Sequence, residues 1–143
     1  ASALRAIVFL DAFLPENGQC LADIAAPRVR GLIAQARASG ETTIAPFPAS
    51  VFNVNEADRA WVDAKCTPQP LRTFIDTVSL SGARDRIARK AYIRATAYDS
   101  ATYDDALART RAAGWRTYEA PCGHDVMIDM PERLAEILVD AAR

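Results

Sequence analysis

The sequence predicts an α/β fold in which a doubly wound parallel sheet carries a small helical insertion. Three observations predict it. Short apolar runs alternate with helix-patterned segments, the order that produces parallel strands joined by helices. The first run, Leu4–Leu10 (LRAIVFL), is nearly continuous in its apolar character, as expected of a strand covered on both faces. The stretch from Thr42 to Arg89 then interrupts the alternation with Pro46, Pro48, Pro68 and Pro70.

Taken in order, the strand at Leu4–Leu10 ends in DAFLPENG, where Pro15 and Asn17-Gly18 break regular structure. A helix is expected within Leu21–Ala38, closed by Ser39-Gly40. Phe47, Phe52, Trp61 and Phe74 are scattered through the segment that follows, which shows no strand pattern and only short helical pieces. So many large apolar groups argue against a linker and for an insertion packed over something else. Regular order resumes with a strand at Ala91–Thr96 (AYIRAT) and a helix at Tyr103–Ala113, stopped by Gly114. A strand at Trp115–Ala120 and a loop, Pro121–Asp125, lead into the last helix. There Leu134, Ile137, Leu138 and Ala141 form one apolar stripe. Asp129 followed by Glu132 fits a capping box, with Pro131 tolerated in the first turn.

A chain of 143 residues with half of them hydrophobic can bury one core. The net charge of −1 and the lack of a basic run exclude a nucleic-acid footprint. No apolar stretch approaches the ~20 residues of a membrane helix. Cys20, Cys66 and Cys122 are odd in number and widely spaced, so reduced thiols in a cytoplasmic protein are the plain expectation. The chain enters its first strand almost at once, at Ala1-Ser2-Ala3-Leu4, with no initiator methionine. That start suggests a piece of a longer chain rather than an autonomous unit.

His124 is the only histidine. It lies in a loop directly after a predicted strand, the place where open α/β sheets bind ligands. The glycine beside it permits a tight turn or close approach. Two carboxylates are placed to orient an imidazole: Asp11 at the end of the first strand and Asp99 just past AYIRAT. Each also has a structural explanation, a turn residue ahead of Pro15 for Asp11 and a helix N-cap for Asp99. Cys122 and His124 form a C-x-H pair, but neighbours two apart on one loop seldom face each other. A buried thiol is therefore preferred to a nucleophile or metal ligand. Phe13, Trp61, Phe74, Tyr98 and Met127 are candidates for a substrate pocket.

The segment CGHDVMIDMPE, Cys122–Glu132, resembles the histidine loop of α/β-hydrolase-fold esterases, with G-H-D-x-M and then a proline–acid pair opening the final helix. IVFLDAFLPENG, Ile7–Gly18, resembles the strand and loop after the nucleophile helix of that group, and TPQPLRTF, Thr67–Phe74, resembles part of its cap. The group includes bacterial relatives of plant methyl esterases and hydroxynitrile lyases. The resemblance implies the C-terminal half of the fold, with residues 1–41 and 90–143 as hydrolase core and 42–89 as the cap. It also implies His124 as catalytic base and a pocket between cap and sheet. The group's acid follows the penultimate strand within a residue or two, whereas Ala97 and Tyr98 precede Asp99 here. The haloalkane-dehalogenase branch keeps its acid at the end of the earlier strand, where FLDAF places Asp11, so Asp11 is the first candidate and Asp99 the second.

The nucleophile elbow G-x-S-x-G is absent from this sequence. The resemblance places that serine upstream of Ala1, in a missing N-terminal half. The implied activity is hydrolysis of small carboxylic esters by a serine hydrolase that needs no metal or organic cofactor. The implied partners are a small-molecule ester and the other half of the fold, and a homodimer is left open. A hydroxynitrile-lyase-like enzyme and a non-catalytic small-molecule-binding protein are the alternatives.

Overall fold

The computed structural model describes residues 4–143; the Ala1–Ala3 start lies outside the described residues. Strand β1 (Ala6–Leu10) leads through helices α1 (Leu21–Ile24) and α2 (Pro27–Ser39) to the inserted region. That region holds β2 (Thr43–Ile44), a 3-10 turn (Ala49–Phe52), α3 (Glu56–Lys65), β3 (Gln69–Pro70) and α4 (Arg72–Ile75). Next come β4 (Arg89–Ala95), α5 (Ala101–Ala112), β5 (Arg116–Ala120), α6 (Val126–Asp129) and α7 (Pro131–Ala142).

The main sheet has the order β1-β4-β5 with every pairing parallel. Leu10 pairs with Ile93 and Ala95 with Ala120, so the carboxyl ends of the three strands lie along one edge. Alternation along β4 divides the core. Ile93 and Ala95 pack with Ala120, Val126, Leu134 and Ile137 beneath α7. Tyr92, on the other face, packs with Leu14, Ala106 and Leu107 beneath α5. This is a parallel sheet with a helix on each face, the predicted fold class.

The helix expected within Leu21–Ala38 is two helices. Ala26 precedes Pro27 and is extended, with φ −57° and ψ 151°, because the proline ring disfavours the α region for its predecessor. Pro27 then opens α2, where its missing N–H costs nothing, and Gly40 closes it with φ 76°. The insertion contains a strand pair that no sequence pattern announces, since β2 and β3 are only two residues each. Its longest helix, α3, starts at Asn55, whose side chain accepts from the Asp58 N–H. Ile33 and Ala36 of α2 share a buried cluster with Leu71 and with Phe74 of α4, whereas Ala49, Val54 and Val62 pack with Ile128 of α6.

Two expectations for the final helix are corrected. Leu134, Ile137 and Ala141 are buried, but Leu138 is 42% exposed, because α7 presents a stripe narrower than the sequence implied. Asp129 and Glu132 form no capping box. Met130 occupies the N-cap with no side-chain cap bond, and the Asp129 carboxylate is engaged elsewhere.

Candidate active site

Asp11 is the residue immediately after β1, and His124 lies four residues beyond the end of β5. The parallel register therefore brings both to the carboxyl edge of the sheet. His124 Nδ1 lies 2.7 Å from Asp11 Oδ2. Asp11 is buried and has a positive φ of 39°, a conformation that aspartate tolerates better than most residues. Its other oxygen, Oδ1, accepts from the Ala95 N–H at 3.1 Å and from Arg94 Nη1 at 3.0 Å. With the acid ionised, Nδ1 must donate, which leaves the Nε2 lone pair free. Nε2 has no hydrogen-bond partner among the described residues.

Asp99, the second candidate acid, is not brought to His124. It is exposed, in the turn before α5, and the N-cap role expected of it falls to Ser100, whose hydroxyl accepts from the Tyr103 N–H at 3.4 Å. The two extra residues after AYIRAT carry Asp99 past the edge that Asp11 already occupies.

Three aromatic rings surround the imidazole. Tyr103 stacks on it at 5.4 Å with 7° between planes, and Tyr98 and Phe52 lie at 5.1 and 5.3 Å. Burial, aided by the charge of Asp11, raises the phenol pKa of Tyr98, while burial and then Tyr98 and Asp11 raise that of Tyr103. Both phenols therefore stay protonated at neutral pH.

The histidine loop is clamped by the insertion. The His124 N–H donates to the Phe52 carbonyl at 2.9 Å, and the side-chain amide of Asn53 donates to the Ala97 carbonyl at 2.8 Å. Asn53 takes the left-handed conformation, φ 56°, to do so. Asp129 ties the two pieces together, accepting from the Asn55 N–H at 3.1 Å and its amide at 2.9 Å, and from the Gly123 N–H at 3.2 Å. Gly123 is the glycine that the approach demands: a Cβ there would stand 2.3 Å from the Asn53 carbonyl oxygen.

Beside this group lies a cavity of about 650 Å³, walled by Asp11, Phe13, Phe47, Phe74, Tyr103 and His124 among others. It lies between the insertion and the carboxyl edge of the sheet. Phe13 and Phe74 line it as expected. Trp61 and Met127 do not, being 56% and 48% exposed on α3 and α6 with their apolar neighbours Val62 and Val126 taking the inward positions. Cys122 is half-buried and free. Burial, with the charges of Asp129 and Asp11, pushes its thiol up to about 11, which suits neither a nucleophile nor a metal ligand. Sequence reasoning missed Phe52, Arg94, Tyr103 and Asp129. Of these only Arg94 left a signal, a charge inside an apolar strand.

A parallel sheet with an acid at one strand end, and a histidine it can hydrogen-bond in the loop after the last strand, defines a class. The chain carries part of an α/β-hydrolase fold. It is 35% identical over 148 aligned residues to the carbendazim hydrolyzing esterase of Nocardioides sp. (strain SG-4G), matching 96% of this chain and 61% of the esterase. It superposes with a TM-score of 0.77 on an extracellular α/β-hydrolase from a Paenibacillus species, described as sharing structural and functional homology with tobacco salicylic acid binding protein 2. That match is 24% identical and covers 97% of this chain and 62% of that one. The chain thus spans about three fifths of the length of each. No protein-family model matches it.

Proposed function

We propose that the intact protein is a serine hydrolase of small carboxylic esters, with His124 as its base and Asp11 as the acid that orients it. The observation that carries the reading is the 2.7 Å contact between His124 Nδ1 and a buried Asp11, which leaves Nε2 free beside the cavity. The 35% identity to an esterase supports the same class. The nucleophile comes from outside this chain, which has no G-x-S-x-G elbow. The serine Oγ attacks the acyl carbon while Nε2 takes its proton. The tetrahedral intermediate expels the alcohol, which receives that proton, and water then releases the acid by the same route. Residues 42–89 act as the cap that covers the ester. The three free cysteines support a reducing, cytoplasmic setting. No metal or organic cofactor enters the scheme.

The test is His124→Ala in the full-length protein, assayed on short-chain p-nitrophenyl esters and on carbendazim, the compound named for the relative. Turnover falls on the order of 10⁴–10⁶, because triad members act as a unit, and fluorophosphonate labelling falls with it. Full activity in the variant refutes the mechanism. A parent without ester hydrolysis and without an elbow serine would instead be a binding protein.

A further inference from the structure

Besides the histidine, the Asp11 carboxylate meets one cation, Arg94, and among the described residues that arginine is the one buried cationic side chain. Arg94 sits in the interior of β4, on the face that carries Tyr92 and turns toward α5. Its side chain is 4% exposed. Nε donates to Asp104 Oδ1 at 2.8 Å, Nη1 to Asp11 Oδ1 at 3.0 Å and to the Ala95 carbonyl, and Nη2 to the Tyr98 carbonyl at 2.7 Å. The guanidinium carbon also lies 5.9 Å from the centroid of the Tyr103 ring, the ring that stacks on His124.

We propose that Arg94 is a positioning residue of this site, fixing the Asp11 carboxylate so that Oδ2 faces His124 and balancing part of its charge. The inference rests on the hydrolase reading. A fork of planar donors can hold one carboxylate oxygen while bonding strand and loop carbonyls on either side, which a point charge on a flexible stem cannot do. Asp104, 60% exposed, anchors the far side of the guanidinium. Burial works against the Arg94 charge, but hydrogen bonding to Asp104 and the nearby Asp11 outweigh it. The titratable groups around Asp11 and His124 are otherwise Tyr92 of β4, Tyr98 after it, Asp104 and Tyr103 of α5, and Cys122, Asp125 and Asp129 of the histidine loop. None of them is a cation, so no other group there can substitute for Arg94.

The experiment compares Arg94→Gln, Arg94→Lys and Asp104→Asn in the full-length protein. Activity is read against pH, and the His124 ring resonance, assigned by its loss in His124→Gln, is followed by NMR titration. Removing a neighbouring positive charge favours the protonated imidazole. In Arg94→Gln the acid limb of activity and the NMR midpoint therefore move up by about one pH unit, and kcat falls on the order of 10²-fold with KM little changed. Arg94→Lys restores the midpoint but only part of the rate. Asp104→Asn moves the midpoint slightly down. A folded Arg94→Gln with the parent's profile and NMR midpoint overturns the proposal. If that variant does not fold, an unmoved midpoint in Asp104→Asn together with full turnover in Arg94→Lys overturns it. A parent that hydrolyses no ester refutes the hydrolase reading alone, because the NMR midpoints still decide the role of Arg94.

Discussion

Replacing Gly123 with alanine drives a methyl group into backbone rather than into a side chain that can swing aside. The added Cβ would stand 2.3 Å from the Asn53 carbonyl oxygen, 2.6 Å from its carbon and 2.7 Å from the Phe52 carbonyl oxygen. Moving from 2.3 Å to the 3.4 Å of an ordinary contact requires about 1.1 Å of separation between the histidine loop and the inserted segment. That movement breaks the 2.9 Å bond from the His124 N–H to Phe52 and carries the imidazole away from Asp11. A misplacement of about 1 Å in a catalytic group costs on the order of 10²-fold in rate, and overpacking of this kind costs about 1–3 kcal/mol in stability. In the full-length protein, kcat for a p-nitrophenyl ester should fall about 10²-fold while KM changes little, with thermal unfolding shifted down by several degrees. Gly123→Ala with unchanged kcat and unchanged melting would refute the clamp.

Asp99→Asn should leave kcat and stability within error of the parent, since its exposed side chain makes no bond to His124; a loss beyond tenfold would restore it as the acid. The Cys122 thiol, held up to about 11 by burial and then by Asp129 and Asp11, should resist iodoacetamide. Because the raised value favours the protonated form, only about 10⁻³ of it is thiolate at pH 8. Peptide mapping should therefore show the exposed Cys66 alkylated first, with Cys122 following only as pH climbs toward that value. Equal rates at pH 8 would contradict the burial assigned to it.

The three strands of the main sheet and the loop position of His124 were legible because each rests on local chemistry. Apolar runs mark the parallel strands, Gly40 closes a helix and GHD marks a loop, whereas the break that Pro27 imposes between α1 and α2 was overlooked. The choice between Asp11 and Asp99 was not local. It depended on the register that places Leu10 beside Ile93 and so carries Asp11 to the histidine. Arg94 was half legible: a cation inside AYIRAT has to be paired when the strand is buried, although its partners lie 83 and 10 positions away. Phe52, Asn53 and Asn55 left no trace, since what they contribute is a carbonyl, a left-handed turn and an amide directed at a loop about 70 residues downstream. The supposed capping box failed for the same reason. Asp129 has a local partner by pattern and a distant one by packing, and the distant contacts prevail.

The clamp between residues 52–55 and the loop 122–129 also bears on how such proteins diversify. A cap attached only at its two ends could be exchanged between relatives as a cassette, bringing a new specificity with it. Here three residues of the segment are part of the scaffold that holds the histidine: the Phe52 carbonyl accepts from His124, Asn53 donates to Ala97, and Asn55 donates to Asp129 of the histidine loop. A chimera that imports a foreign cap must retain Phe52–Asn55, or bring a matching glycine and aspartate in the receiving loop. Under the function proposed above, specificity and the geometry around His124 are then inherited together, and recombination should favour breakpoints after Asn55 over those at the edges of residues 42–89.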